Sequence, residues 1–173
     1  MARGMLVVKG SFMSTQTKPQ PARRQDVHYE ELSEVLADAR SLAARPHTTV
    51  GKWTFAQIVE HLARAIDACF DGFGFKAPWF ARALIAPFLK NSFLIKPMRA
   101  GFKLPQNADS LQPPADADLN EAINHLERAI ARFDEETPSQ PHPFFGRMAA
   151  QEVEMLQLRH SEMHMSFVVP TEG

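Results

Sequence analysis

Along this chain apolar residues recur at three- and four-residue spacings, and the two-residue alternation of a half-buried strand is scarce. The pattern predicts an all-α protein. A first helix is expected from about Val27 to Ala44, with Asp26 as its N-cap and Leu32, Val35, Leu36, Ala39, Leu42 and Ala43 as its apolar stripe. "RPHTTVGKW" breaks it through Pro46 and Gly51. A second helix opens at "TFAQ", where Thr54 and Gln57 have the spacing of a capping box. Ile58, His61, Leu62, Ala65, Ile66 and Cys69 then share one face, and "DGFG" closes the helix.

A third long helix opens at "DLNE", with Asp118 and Glu121 as a carboxylate version of the same cap, and ends at "TPSQPHP". Its stripe is Leu119, Ala122, Ile123, Leu126, Ile130 and Phe133. The last helix runs from about Ala149 to Val168, with Val153, Leu156, His160, Met163 and Phe167 on one side. Met155, Leu158 and Met165 form a second apolar strip, so this helix is either central or faces a second subunit. The strip leaves a homodimer open, with loss of dimerisation on Met155→Glu as its test.

The first two long helices are joined by a short loop and should be antiparallel neighbours. About 44 residues separate the second from the third, too many for a turn. Such a connection is a crossover that lets the third helix run parallel to the second. Within it, "APWFARALIAPFLKNSFLI" should supply a short extra helix, kinked or stopped at Pro87.

Composition narrows the classes. The chain has 173 residues, a formal charge of −1 and 23% charged residues, so nothing in bulk points to nucleic acid. Cys69 is the single cysteine, which excludes an internal disulfide and a cysteine-rich zinc site and fits a cytoplasmic protein. No stretch reaches the length of a membrane span. The apolar run at Met5 to Val8 is too short for a signal peptide, so residues 1–25 read as a disordered leader, with Met13 as an alternative start, before a single domain over residues 26–170.

Candidate chemistry lies in the histidines. His160 and His164 stand four apart in "LRHSEMHMSF", a spacing that stacks two side chains on one helix face. His61 lies on the apolar stripe of the second helix. If these helices pack together, three imidazoles converge and leave an open position on Zn²⁺, Ni²⁺ or a similar divalent ion. The same spacing also suits three hydrogen-bonded core histidines. Residue 161 is Ser, so the glutamate of a metalloprotease H-E-x-x-H helix is missing, and Glu162 points off the histidine face. His28, His47 and His125 read as surface or boundary residues. His142, in "HPFFG", reads as holding a turn, with Phe144 and Phe145 plugging the end of the helices. Cys69 reads as a small core residue.

"GKWTFAQIVEHLARAID", "HPFFGRM" and "LRHSEMHMSF" resemble the DinB-like superfamily, in a branch catalogued as a domain of unknown function. The matching positions are Gly51, Lys52 and Trp53; Gln57, His61 and Leu62; His142, Pro143, Phe145 and Gly146; and His160, His164, Ser166 and Phe167. The likeness covers residues 27–168. It implies a four-helix bundle with a long crossover and a metal site at His61, His160 and His164. It also implies a metal-dependent transferase that joins a low-molecular-weight thiol to a small electrophile, or a thiol-dependent isomerase. Two positions depart from the branch: Ala149 stands where a Ser or Thr cap is usual, and Met163 where another histidine is common.

From Gly72 to Ala108 there is no Asp or Glu, while Lys76, Arg82, Lys90, Lys96, Arg99 and Lys103 are interleaved with Phe and Trp. Three readings stay open: a lid with its aromatics on the bundle, a mouth for an anionic small-molecule substrate, or a basic amphipathic segment on an anionic membrane. Arg64, Trp79 and Arg99 are the candidate substrate-binding residues. The contrasting class of function is a metal-free, non-enzymatic helical bundle that binds a partner or membrane surface through this crossover.

Overall fold

The computed structural model describes residues 22–101 and 107–171. The protein is mostly helical. Among the described residues five α-helices follow one another: α1 (Leu32–Ala43), α2 (Phe55–Asp71), α3 (Ala86–Ile95), α4 (Leu119–Glu135) and α5 (Ala150–Met165). Two three-residue strands, β1 (His47–Thr49) and β2 (Val168–Pro170), pair antiparallel.

Local chemistry explains most helix starts. At α2 the Thr54 hydroxyl accepts from the Gln57 amide (3.2 Å), and the Gln57 side chain accepts from the Thr54 amide (3.0 Å). At α4 the Asp118 carboxylate accepts from the Glu121 amide at 3.0 Å. Ala149 has no side chain to cap α5. There the Glu152 carboxylate accepts from the Ala149 amide (2.9 Å) and also pairs with Lys90 (2.6 Å), tying α5 to α3.

The first helix begins later than its apolar pattern suggests. Asp26 is not its N-cap; Glu31 occupies that position, without a side-chain cap. The residues before it are held out of the helix by a distant partner. The Tyr29 amide donates to the Glu162 carboxylate at 2.9 Å, across 133 residues of sequence. Arg24 forks onto Asp38 (3.1 and 2.6 Å) and donates to the Met165 carbonyl (3.0 Å). Of the expected leader, residues 1–21 lie outside the described residues.

The last helix also stops short of Val168. Its end at Met165 releases β2, which pairs with β1 directly after α1, so the α1–α2 loop and the end of α5 are joined. The extra helix of the crossover is real but compound. A π-helical turn (Ala81–Ile85) runs into α3, and Pro87 sits in the first turn of α3. A proline has no N–H to give to the preceding turn, so the helical register changes there and resumes beyond it.

α2 is the central element, with 12 of its 17 residues buried. It packs on α4 and α5, while α1 packs on α4 and α5, and α3 lies on α5. Leu42, Leu62, Ile66 and Leu126 fill the centre with almost no exposure. Truncating any one of them to Ala removes a full side chain from a close-packed interior, a loss of about 2–5 kcal/mol. The second strip of α5 is largely spent inside this core: Leu158 and Met165 are buried, and Met155 alone is exposed. Among the described residues no helix is long and apolar enough to cross a membrane.

Candidate metal centre

His61 stands in mid-α2, two turns after the Thr54 cap, and His160 and His164 stand one turn apart near the end of α5. Packing of α2 on α5 brings the three rings together. Their centroids are 5.1 Å (His61–His160), 4.7 Å (His61–His164) and 4.6 Å (His160–His164) apart. One ring nitrogen from each lies within 4.8 Å of the others. His61 is buried, and His160 and His164 are partly buried.

The orientation of His61 is fixed from behind. Its Nδ1–H donates to the Leu111 carbonyl at 2.8 Å, in the short 3₁₀ turn Asp109–Leu111 that closes the crossover. A neutral ring with its proton on Nδ1 presents a bare lone pair on Nε2. That Nε2 faces the His160 Nε2 at 3.3 Å. Two nitrogens bound tetrahedrally at a Zn–N distance of about 2.1 Å would be separated by about 3.4 Å. A ligand nitrogen backed by a carbonyl through the other ring nitrogen is also the usual support of a metal-bound histidine. The donor set therefore fits a divalent ion.

The electrostatics favour the same form. Burial pushes the His61 ring below its ordinary pKa, with the Leu111 carbonyl working against that shift and the Arg64 charge adding to it. Burial also holds His160 well below the ordinary value, and the neighbouring imidazoles of His164, His61 and His142 add to the effect. His164 is pushed down to about 3 by burial first and by His61 second. All three rings stay neutral at pH 7, the state that coordinates metal.

Trp53 is the site neighbour whose place the sequence motif left without a role. Its indole stacks on His164 (5.6 Å, 18°) and tilts over His61 (4.8 Å, 51°). A Trp one residue before a helix cap, two turns before a stripe histidine, is the sequence signal that marks it. The Leu111 carbonyl has no such signal, because any residue supplies a carbonyl.

His142, in the loop before α5, lies close enough to His160 for its imidazole to act on that ring. Its Nδ1 accepts from the amides of Phe144 (3.2 Å) and Phe145 (3.1 Å), and its backbone pairs with Gly146 in both directions. Gly146 has φ +72°, which allows so tight a loop. With Nδ1 accepting, the neutral His142 ring carries its proton on Nε2. Burial lowers this ring to about 4.

The remaining candidates are placed differently. Arg64 donates from Nε to Glu60 at 2.6 Å, and Glu60 also meets His125 (2.9 Å) on α4. Trp79 is 75% exposed, with its ring against Phe80. Arg99 is exposed beyond the end of α3. The indole at the histidine group is Trp53, in contact with His61 and His164, not Trp79. Glu162 lies off the histidine face, where it accepts from Arg159 (2.7 Å), His28 (2.9 Å) and the Tyr29 amide. Cys69 is buried, its thiol pushed up to about 11 by burial, and it donates to the Ala65 carbonyl at 3.4 Å. A thiol in that state is no nucleophile at neutral pH.

No curated protein and no solved structure matches the chain. Residues 21–171 match a protein family, and the chain, with its three converging histidines, belongs to that family, described as a protein of unknown function (DUF1569).

Proposed function

We propose that this chain is a DinB-like four-helix bundle, formed by α1, α2, α4 and α5, whose His61, His160 and His164 hold a divalent metal ion, zinc or nickel. We propose further that it transfers a low-molecular-weight thiol to a small electrophile. The observation that carries the reading is the convergence of three neutral imidazole nitrogens, one of them locked by the Leu111 carbonyl. Three protein ligands leave the fourth tetrahedral position to a substrate, the arrangement of a catalytic metal site rather than a closed structural one.

When bound, such an ion supplies the positive charge that keeps a thiol sulfur deprotonated at neutral pH. The chain's own part is positioning. Leu111 fixes the His61 tautomer, and Trp53 walls one side of the imidazoles and limits water there. The chain then needs no nucleophile of its own, which agrees with the inert, buried Cys69. The sulfur of the co-substrate forms the new bond to carbon, and the electrophile's leaving group departs with the electron pair.

The test is loss of free thiol over time, with zinc- or nickel-loaded protein, a panel of small thiols and an alkyl halide electrophile. The expected result is consumption well above the buffer rate for at least one thiol, abolished by His61→Ala and by chelator. A rate equal to buffer with every thiol, or one that survives both treatments, would overturn the transferase reading.

A further inference from the structure

The crossover presents a face that nothing among the described residues covers. From Trp79 to Ile95, the helical segment turns Arg82, Ala86, Lys90, Phe93 and Leu94 inward. Lys90 is consumed by Glu152 at 2.6 Å, Phe93 packs on Phe145 at 5.6 Å, and Ala86 and Leu94 are buried. The outward positions are almost wholly apolar: Trp79 is 75% exposed, Phe80 50%, Leu84 64%, Phe88 83% and Ile95 59%. Between residues 79 and 95, Asn91 is the one exposed polar side chain, with Arg82, Lys90 and Ser92 half-buried. Scattered exposed leucines are ordinary, but a contiguous run of large apolar groups on one helix marks a docking surface.

The charges around this face say what it docks to. Lys76 stands exposed before it, and Lys96 and Arg99 stand exposed after it. No acidic residue occurs between Gly72 and Ala108. A second copy of the chain is a poor occupant. Two-fold symmetry would lay this helix against itself, either antiparallel, with Lys76 near Lys96 and Arg99, or parallel, with each basic end near its twin. Either arrangement sets like charges together with no carboxylate in the segment to relieve them. An anionic lipid surface suits both features at once. Its headgroups meet the basic ends, and the apolar side chains enter the headgroup–acyl boundary, where Trp is at home.

We propose that the outward face of residues 79–95 docks the protein peripherally on an anionic bilayer, with Trp79, Phe80, Leu84 and Phe88 inserted and Lys76, Lys96 and Arg99 on the headgroups. This does not depend on metal at the histidines. The segment lies flat on the surface, and the triad, held on α2 and α5, stays outside the lipid.

The experiment is flotation of the full chain with phosphatidylcholine vesicles, with and without a third of phosphatidylglycerol, alongside sedimentation equilibrium without lipid. Binding is expected on the anionic vesicles, weakened by salt and much lower on phosphatidylcholine alone. Lys96→Gln with Arg99→Gln should weaken it by about fivefold per charge removed. Trp79→Glu with Phe88→Glu should abolish it while leaving the melting curve and the metal content unchanged, since both side chains are exposed. Absence of binding to anionic vesicles would overturn the proposal, as would binding indifferent to both pairs of substitutions. So would a stable dimer in solution that Phe88→Glu dissociates, for then a second copy covers the face.

Discussion

The depressed basicity of the site has a thermodynamic consequence that is measurable without any ligand. In an unfolded chain a histidine takes up its proton near pH 6.5, whereas His164 in the folded protein does so only near 3. Between those values the unfolded state binds more protons, so stability falls as the pH falls from about 6.5 toward 3. One pKa unit corresponds to about 1.4 kcal/mol, so the metal-free protein should lose about 2 kcal/mol through this ring between pH 7 and pH 5. His164→Leu removes the proton-binding group and keeps an apolar side chain of similar bulk. The assay is urea unfolding of both proteins at pH 7 and pH 5 with chelator present. The drop in stability over that interval should be about 2 kcal/mol smaller in the variant, whatever its absolute stability. An equal drop in the two proteins would mean that the ring titrates normally in the fold, and the argument that burial holds it neutral would fail.

Three further outcomes follow from named contacts. Glu162→Gln weakens three charge-assisted bonds, to Arg159, His28 and the Tyr29 amide, and should cost about 2–4 kcal/mol in urea unfolding while leaving any bound metal in place. A cost under about half a kcal/mol would show that the segment before α1 is not held by that carboxylate. Thr54→Ala deletes half of the α2 capping box and should lower stability by about 1 kcal/mol, read from thermal melts at matched pH; an unchanged melt would count against the cap. The Cys69 thiol should react with a disulfide reagent only as fast as the protein unfolds, and labelling of native protein within seconds would contradict its burial.

The parts of this structure that were legible in the sequence are those decided locally. The Thr54–Gln57 and Asp118 caps lie three residues from their partners, and the stripe carrying His61 and the four-residue step between His160 and His164 follow from helix geometry alone. What was missed depends on distant chain. Residues 27–31 carry a helical pattern, but Glu162 and its partners hold them in an irregular path against α5. The strands β1 and β2 are three residues each, too short for alternation to show, and exist because the two segments meet. The second strip of α5 looked available to another subunit because nothing local reveals that α1 and α3 lie against this helix. The aromatics of the crossover posed the opposite problem: composition does not say which of them pack, and the fold buries Phe73 while leaving Trp79, Phe80 and Phe88 exposed.

The central claim is that His61, His160 and His164 form a metal site. Its most direct test is elemental mass spectrometry on protein purified without an affinity tag, for wild type and His164→Ala, each before and after dialysis against zinc and nickel. One divalent ion per wild-type chain, lost in the variant, is the result expected from the convergence of the three nitrogens. A wild-type protein that holds none even after dialysis, or a variant that holds as much, would contradict it and leave the three imidazoles as buried packing.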